Sequence, residues 1–337
     1  MYEVINMSKK IVMALLGAGR IGSIHGATVA QCADAELRYV VDINVESGAA
    51  LADTLGASFS DSETVLADDE VDAVIIATAT DTHADLIVAA AKAGKAIFCE
   101  KPVDLDFKKV EECLEIVSAQ KVPLALGFNR RFDPNFRELK EQLIVGRIGK
   151  LEMISITSRD PSPPPIDYIK VSGGLFRDMM IHDFDMARWL LAEEPIEVYA
   201  TASCLVDPDI ALAGDVDTAM VILKTASGRL CQINNSRRAS YGYDQRIEVF
   251  GSSGMLRVEN ETANRVECFD SKGVSASKPL YFFLERYADA YRLELQDFIS
   301  AIRSGSAPFV SGIDGLKSLR LANAAEESYR TGCSIRL

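Results

Sequence analysis

The sequence predicts an α/β protein whose N-terminal domain is a Rossmann fold, a doubly wound parallel sheet, and whose C-terminal domain is α+β on a large mixed or antiparallel sheet. Three observations carry this expectation. A strand-type run meets a glycine turn and then a helix at residues 10–30, strands and helices alternate through the first hundred residues or so, and from about residue 124 successive strands replace the alternation.

The first element is KIVMALLGAGRIGSIHGATVA, apolar until it breaks at Gly17-Ala18-Gly19-Arg20-Ile21-Gly22, after which apolar residues recur at helical spacing. In such a turn Gly17 allows the tight bend, Gly19 lets the backbone approach a pyrophosphate, and Gly22 permits close packing of helix on strand. The helix N-terminus adds N–H groups and a positive dipole end for phosphates. The next run, ELRYVVDIN, contains Asp42, about twenty residues beyond the last glycine, where an acid accepts hydrogen bonds from ribose hydroxyls. An acid there repels a 2′-phosphate, so NAD is expected over NADP. Arg20 and Ile21 join the glycines and Asp42 as candidate cofactor contacts.

The alternation continues with VDAVIIAT, the amphipathic DTHADLIVAAAKAG and the strand AIFCE. Ligands of parallel sheets bind beyond the carboxyl ends of the strands. Thr78, Thr80 and His83 follow one such end and Glu100-Lys101-Pro102 another, so they are further candidates for the cofactor crevice. The proline fixes the backbone after the strand, so Lys101 is carried from a rigid place; the plainer alternative is a surface lysine before a turn.

In the second half, LALGFNRRFDP leads into a helix, and LEMISITSRD, EVYATASCLV, TAMVILKTASGRLCQINNS, QRIEVFGSSGMLRVEN and NRVECFD read as strands joined by short turns. Two helices, YADAYRLELQDFISAIRSG and GIDGLKSLRLANAAEESYRTG, each close on a glycine. The run Pro161-Ser162-Pro163-Pro164-Pro165 is expected as a stiff extended loop. The expected boundaries are 1–126 for the dinucleotide domain and 127–337 for a domain that binds substrate and oligomerises.

Residues 173–186, GGLFRDMMIHDFDM, place Asp178 and His182 four apart, on one face if the stretch is one helix, among the packing residues Leu175, Phe176, Met179 and Ile181. The pair is either a structural hydrogen bond or a base and its partner. The residues alone leave both open.

Composition narrows the classes. The chain has 337 residues, 48% hydrophobic, and 36 basic against 49 acidic residues, so 36 − 49 = −13, with no long basic run. Nucleic acid and anionic membranes are therefore not expected partners. The seven cysteines form no CxxC pair and read as thiols of a reducing cytoplasm. No apolar run reaches the roughly 18 residues of a membrane span, the first ten lack a signal-peptide core, and nothing functional is assigned to the six residues before Met7. Of the three histidines, His25 falls on the first helix as a packing or surface residue, His83 lines the crevice, and His182 lacks a zinc-type set of neighbours, so no metal is expected.

With GAGRIG, Asp42, Glu100-Lys101-Pro102 and GGLFRDMMIHDFDM in order, nearly the whole chain resembles the Gfo/Idh/MocA family of NAD(P)-dependent oxidoreductases. The resemblance implies a catalytic set of Lys101, Asp178 and His182. SRDPSPP, IHDFDMARWLL and NNSRRASYGYDQRIEVFGSSGM are similar to bacterial members that act on inositol. That likeness implies oxidation of myo-inositol to 2-keto-myo-inositol; scyllo-inositol, another polyol or an aldose are the alternatives. A homotetramer is implied by the same resemblance. For a polyol, Asn129, Arg131, Asp160, Tyr241 and Tyr243 are candidate hydroxyl contacts beside Lys101, Asp178 and His182. Arg130, Arg237 and Arg238 would instead suit an acidic sugar. A reading of another class is a non-catalytic NAD-binding sensor, although such proteins tend to lose the lysine or histidine kept here.

Overall fold

A computed structural model describes residues 9–337 of the chain. Two compact units are present: one runs to Phe132 and takes in Asp289–Lys317, the other comprises Asp133–Ala288 and Ser318–Leu337. The change of pattern near residue 124 marks the first crossing between units; nothing in the sequence signals that a later helix returns.

The first unit alternates β1 (Ile11–Leu16), α1 (Arg20–Gln31), β2 (Ala35–Val41), α2 (Val45–Leu55), β3 (Ser58–Ser60), α3 (Ser62–Ala67), β4 (Ala73–Ile76), α4 (Thr80–Lys92), β5 (Ala96–Cys99), α5 (Phe107–Gln120) and β6 (Leu124–Leu126). All its strand pairs are parallel, in the order β3-β2-β1-β4-β5-β6, the order of a dinucleotide-binding sheet. Every residue of β1, β4 and β5 is buried, which is why these segments read as unbroken apolar runs rather than alternating ones. Leu295, Phe298 and Ile299 pack into the same core as Ile11, Met13, Leu15 and Phe98. Side chains cap the N-termini of three helices: Asn44 that of α2, Asp61 that of α3 and Asp106 that of α5.

The second unit holds α6 (Pro134–Ile144), β7 (Leu151–Arg159), α7 (Ile166–Ser172), α8 (Gly174–Asp178), α9 (Ile181–Leu191), β8 (Pro195–Ser203), α10 (Pro208–Leu212), β9 (Thr218–Thr225), β10 (Leu230–Ser236), β11 (Asp244–Gly251) and β12 (Gly254–Val258). A hairpin of β13 (Glu267–Asp270) and β14 (Gly273–Ala276) follows, then α11 (Phe283–Arg286), α12 (Ala288–Ser304), α13 (Gly312–Thr331) and β15 (Ile335–Arg336). Most of α12 belongs to the first unit, and the division at Lys317 falls within α13. The large sheet runs β12-β11-β7-β10-β9-β8-β15 and is mixed: β7 and β10 are parallel and the other pairs antiparallel.

Burial alternates along β9 and β11, so one face of this sheet meets the core. Val221, Leu223, Ile233 and Val249 point inward, while Met153, Tyr199, Met220, Ile222, Leu230 and Phe250 stand exposed. Residues 161–165 carry no helix or strand, as their prolines dictate.

The condition under which Asp178 and His182 would share one helical face, a single helix over residues 173–186, is not met. The stretch is two helices, because the Met180 N–H bonds back to the Leu175 carbonyl at 2.9 Å and closes α8, while the Met180 carbonyl accepts from Asp183 and Phe184 and opens α9. Asp178 ends α8; His182 lies in the first turn of α9.

Candidate functional site

At the carboxyl end of β1 the chain bends at Gly17, whose φ is +106°. A Cβ there would lie 2.4 Å from the Ala77 carbonyl oxygen, and one at Gly22 would lie 1.9 Å from that of Gly17; at Gly19 it would meet nothing within 4 Å. Packing demands two of the glycines, and the third leaves open space over the turn. Asp42, just beyond β2, accepts the Ala18 N–H through Oδ2 at 2.6 Å and the Asn44 N–H through Oδ1 at 2.7 Å. The acid is held by backbone and keeps lone pairs for a further donor.

Neither α1 nor α4 has a side-chain cap; Gly19 and Ala79 occupy those positions, unlike the capped α2, α3 and α5. β1 and β4 are neighbours where the strand order reverses. Two helix N-termini without side-chain caps at that crevice, an open glycine turn and a fixed acid fit the phosphates and ribose of a dinucleotide.

Thr80 begins α4, and the Thr78 hydroxyl pairs with that of Thr82 at 2.7 Å. His83 lies in the first turn of α4. It is buried, with Nδ1 2.8 Å from the Pro102 carbonyl and Nε2 3.1 Å from that of Thr78, so the ring braces two strand-end loops. Glu100 also turns inward: its Oε1 is 2.7 Å from His25 Nε2, and its Oε2 accepts the Lys101 N–H at 3.3 Å. Lys101, half-buried, stands two residues past the end of β5, before a cis peptide to Pro102.

Asn129 and Arg131 are buried in the 3-10 turn after β6, and Arg131 pairs with Asp314 at 2.9 Å. His25, expected as packing or surface, is a buried member of a trio with Glu100 and Glu294, whose ligand-capable atoms lie within 4.8 Å of one another. Burial pushes the Glu294 carboxyl well above the usual range, and the neighbouring Glu100 charge adds to this.

In the second unit, Asp178 accepts a hydrogen bond from the Tyr168 hydroxyl at 2.9 Å and faces Arg237 at 3.5 Å. His182 is half-buried, and Asp183 beside it is tied to Asn235 of β10 at 2.9 Å, which fixes the start of α9 on the sheet. The Asp160 N–H bonds the Ser236 carbonyl at 3.0 Å. Tyr241 donates to Asp244 and accepts from Arg159 at 3.1 Å. Burial pushes the Asp244 carboxyl up, but hydrogen bonds from Arg246, Tyr241 and Asn260 outweigh this and hold it below its ordinary range. Tyr243 is buried against Tyr287 and Phe282 and is a core residue.

Two of the three arginines considered for an acidic sugar, Arg237 and Arg238, have other work. Arg238 donates to the Leu205 and Val206 carbonyls, and Arg237 is 1% exposed between Asp178 and Asp215. A cavity of about 510 Å³ in this unit is lined by Lys140, Leu190 and Arg229; it adjoins the far end of α9 from His182 and lacks the catalytic candidates. Tyr168 and Asp215 were missed by sequence reasoning, and Arg237 was considered there only as a contact for an acidic sugar. Only the glycine pair at 173–174 hinted that something approaches α8 closely.

The first unit is that of a dinucleotide-dependent oxidoreductase. A family profile described as an oxidoreductase family with an NAD-binding Rossmann fold matches residues 11–128, and one for the GFO/IDH/MocA C-terminal domain matches residues 136–257. The chain belongs to the GFO/IDH/MocA oxidoreductases, and its cofactor is NAD. It is 52% identical to an inositol 2-dehydrogenase of Rhizobium meliloti, over 93% of this chain and 95% of that one. Identity to a myo-inositol 2-dehydrogenase of Thermotoga maritima is 48%, covering 96% and 98% of the two chains. A crystal structure of a myo-inositol dehydrogenase from Corynebacterium glutamicum superposes with a TM-score of 0.94 at 42% identity, covering 97% and 99%.

Proposed function

We propose that the protein oxidises myo-inositol to 2-keto-myo-inositol. The observation that carries this reading is the 52% identity across nearly the full length of an inositol 2-dehydrogenase, in a chain that keeps Lys101, Asp178 and His182. Bound NAD supplies the acceptor for the carbinol hydride. The Lys101 ammonium holds the reacting hydroxyl from its strand-end position, and His182 takes the hydroxyl proton as the carbonyl forms. Histidine suits the task because its ordinary pKa lies near working pH, and Asp178 favours the imidazolium that results. The hydride and the proton both leave the alcohol, so the reaction balances with no metal.

In this reading the first unit binds the cofactor, while the second binds the polyol and builds the assembly. A homotetramer is supported by the exposed apolar side chains on one face of the second unit's sheet, where Ile222 pairs in register with Tyr199, and Met153 with Leu230 and Phe250. A cytoplasmic setting is supported by the seven free cysteines, of which Cys99, Cys113 and Cys231 are buried. Among the described residues no helix is long and apolar enough to cross a membrane.

The test is direct. The purified protein is mixed with NAD and, separately, with myo-inositol, scyllo-inositol and glucose, and NADH absorbance is followed. Turnover fastest with myo-inositol supports the reading. A higher rate with either other compound moves the substrate, and NAD binding without turnover on any polyol returns the protein to a sensing role.

A further inference from the structure

A charged cluster behind the catalytic motif has no part in the chemistry described so far. Arg237 follows β10, is 1% exposed, and places Nη2 3.5 Å from Asp178 Oδ2 and 3.7 Å from Asp215 Oδ2. A guanidinium so far from water requires compensating charge. The two acids that supply it grip opposite ends of one short helix.

Asp178 is the last residue of α8, a helix of five residues. Asp215 reaches the other end, where its Oδ1 accepts the Leu175 N–H at 3.0 Å. Its carboxylate fills the space a Gly174 side chain would take, since a Cβ there would lie 2.7 Å from Oδ1. Arg237 is itself fixed, because its N–H donates to the Asp217 carbonyl at 2.8 Å and the Asp217 carboxylate gathers the N–H groups of Leu205, Val206 and Asp207. The chain of contacts therefore runs from the ends of the interior strands β9 and β10 through one cation to both ends of the turn that carries Asp178.

We propose that Arg237 is a positioning residue for the oxidation: it anchors the Asp178 carboxylate and, through Asp215, the α8 turn, so that Asp178 keeps one orientation toward the base. The proposal rests on the reading of Asp178 and His182 as a catalytic pair. Asp215 adds support, for burial pushes its carboxyl up against the pull of the Leu175 N–H, and the Arg237 charge offsets part of that.

The test uses the full chain with saturating NAD. Wild type and Asp178→Asn are assayed first on the polyol panel. No turnover by wild type, or an Asp178→Asn variant as fast as wild type, would sink the functional reading itself. With that reading standing, Arg237→Met should lower kcat by roughly tenfold or more while the NAD Kd stays within about twofold, because the cofactor is held by the other unit. In the Asp178→Asn background the same substitution should cost nothing further, since it acts through Asp178. A folded Arg237→Met enzyme with kcat within twofold of wild type overturns the proposal, as does a loss that persists undiminished beside Asp178→Asn. If Arg237→Met does not fold, Arg237→Lys is put through the same cycle, because an ammonium lacks the fork that meets two acids. A loss of about threefold or more that vanishes beside Asp178→Asn supports the proposal; wild-type kcat or an additive loss overturns it.

Discussion

The Asp42 carboxylate and the Ala18 N–H are joined at 2.6 Å, which ties the end of the second strand to the glycine turn after the first. The acid is aimed by backbone donors, with the Asn44 N–H on its other oxygen, rather than by a cationic side chain. Asp42→Ala should therefore weaken NAD by about tenfold or more, roughly 1.4 kcal/mol. It should narrow the gap to NADP, because the repulsion of a 2′-phosphate goes with the charge. Fluorescence titration with both cofactors checks this, and an unchanged NAD preference would remove Asp42 from the ribose site.

Lys101 and His182 should separate chemistry from cofactor binding. Lys101→Met and His182→Ala are each expected to lower kcat by about 10²-fold or more, the usual range for a lost acid–base group. The NAD Kd should stay within roughly threefold of wild type. Stopped-flow and equilibrium titration give the two numbers, and full activity of His182→Ala would end its assignment as base.

Gly174 offers a stability test that is independent of activity. Its φ is +79°, and a side chain there would strike Asp215, whereas Gly146, at φ +74°, has open space around its Cβ position. Both alanine substitutions bear backbone strain of about 1–3 kcal/mol. Only Gly174→Ala also displaces the carboxylate that caps Leu175. Its Tm should fall further than that of Gly146→Ala, and equal losses would mean that Asp215 moves aside without cost.

Glu294 predicts a pH dependence of stability. Its folded carboxyl holds a proton well above the ordinary 4.5 because of burial and then of Glu100, so its contribution is fully present below pH 4.5 and is lost as pH rises toward the folded value. Glu294→Gln should have little effect near pH 4 and stabilise increasingly from pH 5 upward, by at most about 1.4 kcal/mol per pH unit. Melting curves across that range decide it. A gain that does not change with pH would show that packing, not protonation, sets the difference.

The exposed sheet face supplies the last test. Ile222→Glu puts a charge among Tyr199, Met220 and Leu230 on the side of the sheet away from the core. Analytical ultracentrifugation should find smaller species than for wild type, with the fold intact by circular dichroism. An unchanged assembly would place the subunit contacts elsewhere.

Most of the dinucleotide unit was legible because its signals are local. Gly17, Gly22 and Asp42 act within about thirty residues of one another, and β1 and β4 announce themselves by continuous burial. The second unit was legible as strands, but its connections were not: the parallel pairing of β7 with β10 joins residues far apart in sequence. Asp178 and His182 could be found by their motif, while Arg237 and Asp215 are brought to α8 by tertiary folding alone. For His83 the sequence could not show that the ring is braced between the carbonyls of Pro102 and Thr78, a contact that folding alone creates.

The late return of the chain to its first unit bears on how the molecule is made. Leu295, Phe298 and Ile299 complete a core that begins at Ile11, so the cofactor-binding half cannot close until α12 has been made. Until then the nascent chain displays an unfinished apolar surface, a natural landing place for chaperones. A premature stop well past Phe132 would still deprive the cell of both halves at once.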